Sequence, residues 1–519
     1  MHSHPSSAAA SALWRRILSL PAALGAAVVF TTFAAGGGAY AASRSDAPAA
    51  GMAAVPGAAY TPAAGVSWGR AVEVPGLAAL NKGSQAGVES VSCPSAGDCA
   101  AGGRYAGRHG NDPAFVVSER HGRWGKAIEV PGLAALNTGP GADVESVSCP
   151  SAGNCAAGGW YYTPAGRHAA PEQGFVVSER NGAWGKAIEV PSLAALNPGG
   201  EAEVDSVSCA SPGNCVAGGS YGGSVKRQGF VAVERHGRWG KAAEVPGLGT
   251  LNTFNYAEVY SVSCAPSGLC AAGGYYTARD GNASGFVAVE RDGRWGRAVE
   301  VPGLGALSTG GDAVVDSVSC PSAGNCAAGG TYTDRSHNSQ GFAAVERDGR
   351  WRKAIEVPGL GALNKGGFAV VSSVSCASAG DCAAGGDYAD SEGKSQGFVA
   401  VERDGRWGTA TEVPGLAVLG KGRNAQVLSV SCAPGGPCAA GGYYSGRVGY
   451  HSYFVAVEQD GRWSRAIQVP GLKTLHKGRV SGIDEFYLSV SCARGGTCAA
   501  GGYYADGPGN SQGFVTQAR

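Results

Sequence analysis

An all-β repeat protein is the fold class that this 519-residue sequence predicts, and three observations carry the prediction. The first is cysteine spacing. The pair Cys-x5-Cys, usually within SVSC-x5-CAAGG, occurs eight times and uses all sixteen cysteines. Its first members are Cys93, Cys149, Cys209, Cys264, Cys320, Cys376, Cys432 and Cys492, mostly 56 residues apart, with steps of 55 and 60 also present. The second is a tryptophan on the same beat: Trp68, Trp124, Trp184, Trp239, Trp295, Trp351, Trp407 and Trp463. The third is an X-Gly dipeptide just before each of the last seven tryptophans, from His121-Gly122 to Asp460-Gly461. A period between 20 and about 60 residues marks a repeat architecture, in which each unit buries its apolar face against its neighbours.

Within one repeat the elements follow in order. Residues 88–93 read as a first strand, 94–98 as a turn, 99–105 as a second strand, 115–120 as a third and 124–130 as a fourth. The X-Gly dipeptide between the third and fourth strands is the signal of a type I′ hairpin, whose central residues take positive φ. Pro131, Pro191 and Pro246 stop the fourth strand, because proline cannot donate to a ladder. Residues 132–136 can make a single helical turn, and no stretch has sustained helical periodicity.

Four antiparallel strands per unit, repeated eight times, predict an eight-bladed β-propeller. Residue size agrees with a wedge-shaped blade: Ser, Cys, Ala and Gly fill the first two strands, and Phe, Val, Ile and Trp the other two. The two ends of the repeat region complete each other. Residues 67–74 are a lone fourth strand, and the chain stops at the end of a third. The propeller is therefore assigned to residues 67–519, with its last blade split between 67–74 and 487–519 and closed by pairing the N- and C-terminal strands.

Ahead of the propeller, Arg15 and Arg16, an apolar run over 17–35 and Ala39-Tyr40-Ala41 have the layout of an export signal, assigned to 1–41. An uncleaved anchor is the alternative, and the twin arginines leave the export route open. Residues 42–66, rich in Ala, Pro and Gly, read as a flexible linker. In an exported chain the cysteines mean disulfides, each closing its own turn: Cys93–Cys99, Cys149–Cys155, Cys209–Cys215, Cys264–Cys270, Cys320–Cys326, Cys376–Cys382, Cys432–Cys438 and Cys492–Cys498. A seven-residue loop gives roughly 2 kcal/mol per bridge in the chain-entropy model. Zinc is not expected, since each repeat offers two thiolates and no histidine at a fixed offset. A net charge of +1, from 41 basic and 40 acidic residues, argues against nucleic acid as a partner. The mature chain is expected to be a secreted monomer, possessing no cofactor and no membrane insertion.

The repeats over 67–519 resemble the SVSC…C-A-x-G repeats of secreted proteins from high-GC Gram-positive bacteria. That resemblance implies export and a propeller, and no chemistry. The hairpin Asp-Gly-Arg-Trp is also loosely similar to the sialidase Asp-box, but its Trp follows Gly by two positions instead of three. No glycosidase residue is carried over.

Strand direction puts the Cys-x5-Cys and X-Gly turns on one face and the loops that vary among copies on the other. Function concentrates in such loops on a rigid scaffold. A tyrosine recurs six residues after each second cysteine, as at Tyr105 and Tyr161, and is read as structural. The residue before it changes from copy to copy. Arg104, Trp160, Tyr275, Asp387, Tyr443 and Tyr503 are accordingly the candidate ligand contacts, in a shallow site for a glycan or a protein. Glu73, Glu129 and their counterparts before Val-Pro, with Gln468 in the eighth copy, are read as solvated edge residues, as are Glu119, Glu179 and Glu234. Gly218-Gly-Ser220-Tyr-Gly222 matches a nucleophile-elbow string but lies in a strand. An extracellular binding module leads this reading. A polysaccharide hydrolase or lyase, with Asp387, Asp390 and Glu392 as its acidic cluster, is the alternative, and a structural envelope protein the third.

Overall fold

The computed structural model describes residues 67–518 apart from 109–110, 164–170, 199, 224, 292, 447–450 and 479–486. The expected signal peptide and linker lie outside the described residues. In the first complete blade the strands Ala86–Ser95, Asp98–Tyr105 and Ala114–Arg120 lie side by side from the axis outward. Seven sheets share this order. The eighth runs Leu488–Cys492, Cys498–Ala505, Ser511–Gln517 and then Val72–Glu73, so the first strand of the chain completes the last blade. Val72 faces Val515, Glu73 faces Phe514, and Trp68 bridges to Ala518. Each innermost strand packs beside the next, and the last beside the first, which closes an eight-bladed ring.

All eight cysteine pairs bridge their own first and second strands, with Cα atoms 3.9–4.1 Å apart. The outer hairpins are type I′: His121 and Gly122 have φ of 50° and 75°, and Asp404 and Gly405 repeat this at 50° and 78°. The single helical turn is present as well, at Leu77–Leu80, Leu133–Leu136 and their counterparts, each with its first leucine buried.

The core lies between blades. One cluster joins Val116, Val130 and Leu133 of one blade to Val144, Tyr161 and Phe175 of the next. A Cβ on Gly102 would collide with Val144 and Val147 of the adjacent blade, so the Gly of CAAGG is required by close approach of two sheets.

Three rings of polar contacts join the blades. At the axis, Val147 and Cys149 donate their backbone N–H groups to Ser90 Oγ and Ser92 Oγ of the preceding blade, at 3.0 and 2.9 Å. The same pair of bonds recurs at every interface, including Val91 to Ser489 and Cys93 to Ser491 across the closing seam. Both serines of SVSC are thus accounted for.

At the periphery the fourth strand differs from its expected continuous form over 124–130. It is two short pieces, Arg123–Trp124 and Ile128–Glu129, because the chain between them turns to the neighbouring blade. There Ala127 donates its N–H to the carbonyl of Pro75 at 2.7 Å. Ala187 to Pro131 and Ala71 to Pro470 are equivalents, while Ala127 to Pro75 is the bond of this ring that spans the seam.

The third ring corrects the solvated-edge reading of Glu119, Glu179 and Glu234, which are 1–2% exposed. Glu179 meets Arg120 of the preceding blade at 2.7 Å, and Glu234 meets Arg180 at 3.1 Å. Four further interfaces carry the same pair, from Arg235–Glu290 to Arg403–Glu458. At the seam Gln517, at the repeat position of Ser118, donates to Glu119 as Ser118 does to Glu179. The face of the third strand that alternation assigned to water is covered by the next blade. The glutamates before Val-Pro are likewise engaged: Tyr105, Tyr161 and Tyr504 donate their hydroxyls to Glu129, Glu189 and Glu73.

Deleting 67–74 removes the closing strand together with its bonds to the eighth blade. It is expected to abolish cooperative unfolding in a thermal melt, whereas deleting 42–66 leaves the melt unchanged. Ser206→Ala strips the acceptor from Val262 N–H, 3.1 Å away, and is expected to cost about 1–3 kcal/mol in urea denaturation.

Candidate functional site

The position that varies between copies sits at the loop-side end of each second strand, directly opposite the start of the inner strand. Arg104 is opposite Gly87, Trp160 opposite Asp143, Tyr275 opposite Glu258, Asp387 opposite Val370 and Tyr443 opposite Gln426. Pairing register therefore couples two variable positions in each blade, one on each strand.

Four of the six candidates are half-buried, while Asp387 and Tyr503 are buried, at 4% and 3% exposure. The expected shallow surface is instead an inward-facing network. Arg104 Nε lies 3.7 Å from Asp143 Oδ2, itself wholly buried. Trp160 donates its indole N–H to Glu145 Oε1 at 2.9 Å and meets Tyr162 edge-on, with centroids 5.2 Å apart. Tyr275 packs on Tyr260, Tyr443 on His451, and Tyr503 on both Tyr487 and Tyr453. Arg227 reaches Glu201, Glu203 and Glu258 at 3.2, 3.4 and 3.0 Å. The second to fourth complete blades thus present mainly carboxylates, and the last two present tyrosines.

This crowding of carboxyl groups changes their titration. Burial, reinforced by Asp143, Glu89 and Glu203, pushes the Glu145 carboxyl well above its ordinary range, against the Trp160 hydrogen bond. Burial and the charge of Glu203 carry Glu172 up to about 7, with the Tyr162 hydrogen bond and Arg227 opposing. Burial carries Asp387 to about 7, opposed by hydrogen bonds from Ser395 and Gln426, the latter 3.2 Å away.

The acidic cluster named from sequence does not assemble. Asp390 sits in an exposed turn, accepting N–H bonds from Glu392 and Lys394 at 2.8 and 3.0 Å. Glu392 points to Lys394, and Asp387 is engaged with Gln426. Ser220 is buried in its strand, 3.4 Å from Glu203. Among the described residues, no three His, Cys, Asp or Glu side chains are arranged to hold a metal ion. No helix among them is long and apolar enough to cross a membrane.

Asp143, Glu145, Glu172, Glu203 and Arg227 were not singled out from sequence. The signal for the inner-strand members was present: six and four residues before each first cysteine, the strand departs from its repeat, as Asp143/Glu145, Glu203/Asp205 and Glu258/Tyr260.

The chain is a disulfide-stitched eight-bladed β-propeller. No protein-family model matches it, and no curated protein is similar in sequence. Among solved structures it is similar to a protein of unknown function from Dyadobacter fermentans DSM 18053, at 11% identity and a TM-score of 0.38, over 88% of this chain and 100% of that one. Chaetomium thermophilum Sqt1 bound to the N-terminus of ribosomal protein L10 gives 13% and 0.43, over 84% and 98%. A PL25 ulvan lyase gives 10% and 0.39, over 70% and 92%. At these TM-scores the likeness carries no argument about function.

A carboxyl held above its unfolded value of about 4 binds more protons when folded, so its contribution to stability is lost as pH rises toward the folded value. For Asp387 the window runs from about 4 to about 7. The melting temperature is expected to fall from about pH 5 to about pH 8, and Asp387→Asn is expected to flatten that fall. Calorimetry at both pH values checks this; an unchanged slope would show that Asp387 titrates normally.

Proposed function

We propose that this chain is an extracellular binding module that engages its ligand on the variable-loop face, at the axis. One observation carries the reading. The repeat is otherwise given over to contacts that are alike from blade to blade, and its copies diverge most in chemistry where Arg104, Trp160, Tyr275, Asp387, Tyr443 and Tyr503 stand. Flat aromatic side chains give large contact area at low entropic cost, which suits a sugar or a protein partner. Eight disulfides fit an oxidising compartment, which supports secretion and the reading of 1–41 as a signal peptide. The opposite face offers only short disulfide turns and glycine hairpins.

The hydrolase or lyase reading keeps one supporting observation, the raised carboxyls of Glu145 and Glu172. Screening the secreted chain against glycans and cell-wall fractions, with products assayed in parallel, separates the two; turnover would establish the enzyme.

Trp160→Ala combined with Tyr443→Ala is expected to weaken binding about tenfold or more while moving the melting temperature little. Intact binding in that variant, with loss on substitution in the 94–98 turn, would place the ligand on the other face.

A further inference from the structure

In seven of the eight repeats the loop from the helical turn to the inner strand carries a glycine at one fixed position: Gly83, Gly139, Gly199, Gly310, Gly366, Gly422 and Gly478. The exception is Phe254. Close approach explains the glycine. Its N–H donates to the carbonyl at the end of the second strand, as Gly83 does to Ala106 and Gly366 to Ala389, both at 2.9 Å. A Cβ added at Gly83, Gly139 or Gly366 would lie 2.5, 2.4 or 2.6 Å from Ala106, Tyr162 or Ala389, closer than packed atoms come. Phe254 keeps the bond, to Thr277 at 3.1 Å, and sets a benzyl group where those copies leave no room. Its ring turns outward, 55% exposed, and Asn255 after it takes a φ of 80°, in the left-handed region. A lone exposed apolar side chain is ordinary. One that displaces a glycine kept in all seven other copies is not.

The ring is also held in place. Its loop is tied to its own blade through the Phe254 N–H and to the preceding blade through Arg227, whose N–H donates to Asn255 O at 2.7 Å. Arg227 and Tyr256 form a parallel bridge at the same point. On the loop alongside, Val225 is 78% exposed and Lys226 is exposed as well, and Thr253 and Asn255 stand exposed on either side of the ring. The platform lies on the variable-loop face, three residues before the inner strand Ala257–Cys264, on which Glu258 faces Tyr275.

The apolar spot is one phenyl ring and one isopropyl group, far smaller than the roughly 800 Å² that each partner covers in a stable protein interface. Its size suits one or two pyranose rings. A sugar whose ring hydroxyls are all equatorial points its C–H bonds axially, and so offers an apolar face to an aromatic ring and a polar edge to the groups around it. A flat side chain already fixed by its loop meets that face at low entropic cost. We propose that Phe254 is the stacking platform of a glycan subsite for β-linked, gluco-configured chains, with Thr253, Asn255 and Lys226 beside it for the hydroxyls. This rests on the variable-loop binding reading above and names its ligand class.

Titration calorimetry of the full secreted chain with cellotetraose tests the proposal. Saturable binding is expected, weakened about tenfold or more by Phe254→Gly and retained by Phe254→Trp. Phe254→Gly restores the residue of the other copies, so its melting temperature is expected to stay close to that of the wild type, which separates a lost contact from a lost fold. Equal binding by wild type and Phe254→Gly would overturn the proposal. Loss in the variant combining Trp160→Ala and Tyr443→Ala would then leave the axial module standing, and loss only on substitution in the 94–98 turn would remove both. A wild type that binds no cellotetraose would also overturn it, and the glycan screen would decide the broader reading separately. Sedimentation that finds wild-type dimers and monomeric Phe254→Gly would identify a second copy of the chain as the occupant, again overturning the glycan subsite.

Discussion

The innermost strand of a blade has a partner on one side only. Every second backbone N–H therefore points away from the sheet, and buried donors of this kind must be satisfied. Here the serines of the preceding blade accept them, so that Val147 and Cys149 depend on Ser90 and Ser92, and Val91 and Cys93 on Ser489 and Ser491. No blade can satisfy its own inner edge. The ring follows from that dependence, and so does its closure, because an open array would leave one edge without acceptors.

The other interblade contacts are built outward from this anchor. Small Ala and Gly residues let sheets approach, the Val, Phe and Leu side chains fill the widening wedge, and the Arg–Glu pairs and Ala–Pro backbone bonds lie farther from the axis. The ion pairs are asymmetric in burial, with Glu179 and Glu346 almost wholly covered and Arg120 and Arg291 at least a third exposed. Removing the arginine alone would leave a buried carboxylate uncompensated; at the seam Gln517, at the position of Ser118, donates to the buried Glu119.

Blade number, strand order, disulfide pairing and the splitting of the last blade could be read from Cys93, Trp68 and their periodic copies, because each leaves a mark at fixed spacing. What escaped depends on relations between blades. Period-two alternation on the third strand distinguishes two faces but not whether a face meets water or a neighbour, so Glu119, Glu179 and Glu234 were misplaced. The fourth strand breaks at residues 125–127 to reach Pro75, a contact that no local pattern encodes. Arg104, Trp160 and Asp387 stood out through variation among copies. Their depth did not, since it is set by how closely eight blades approach the axis. Glu145 and Asp205 were hidden by a bulge in the inner strand: an extra residue in one strand of a pair changes which way a side chain points without changing the sequence pattern.

The placement of the cysteines bears on how such a chain reaches its oxidised state. Each thiol has its proper partner six positions away, whereas the nearest wrong one is 49 or more positions distant, as Cys264 is from Cys215. Loop closure probability falls roughly as the three-halves power of length, so correct pairing is favoured about twentyfold from chain statistics alone. Sixteen thiols could otherwise scramble in a vast number of ways. Local pairing of this kind lets each hairpin oxidise on its own, without the finished ring.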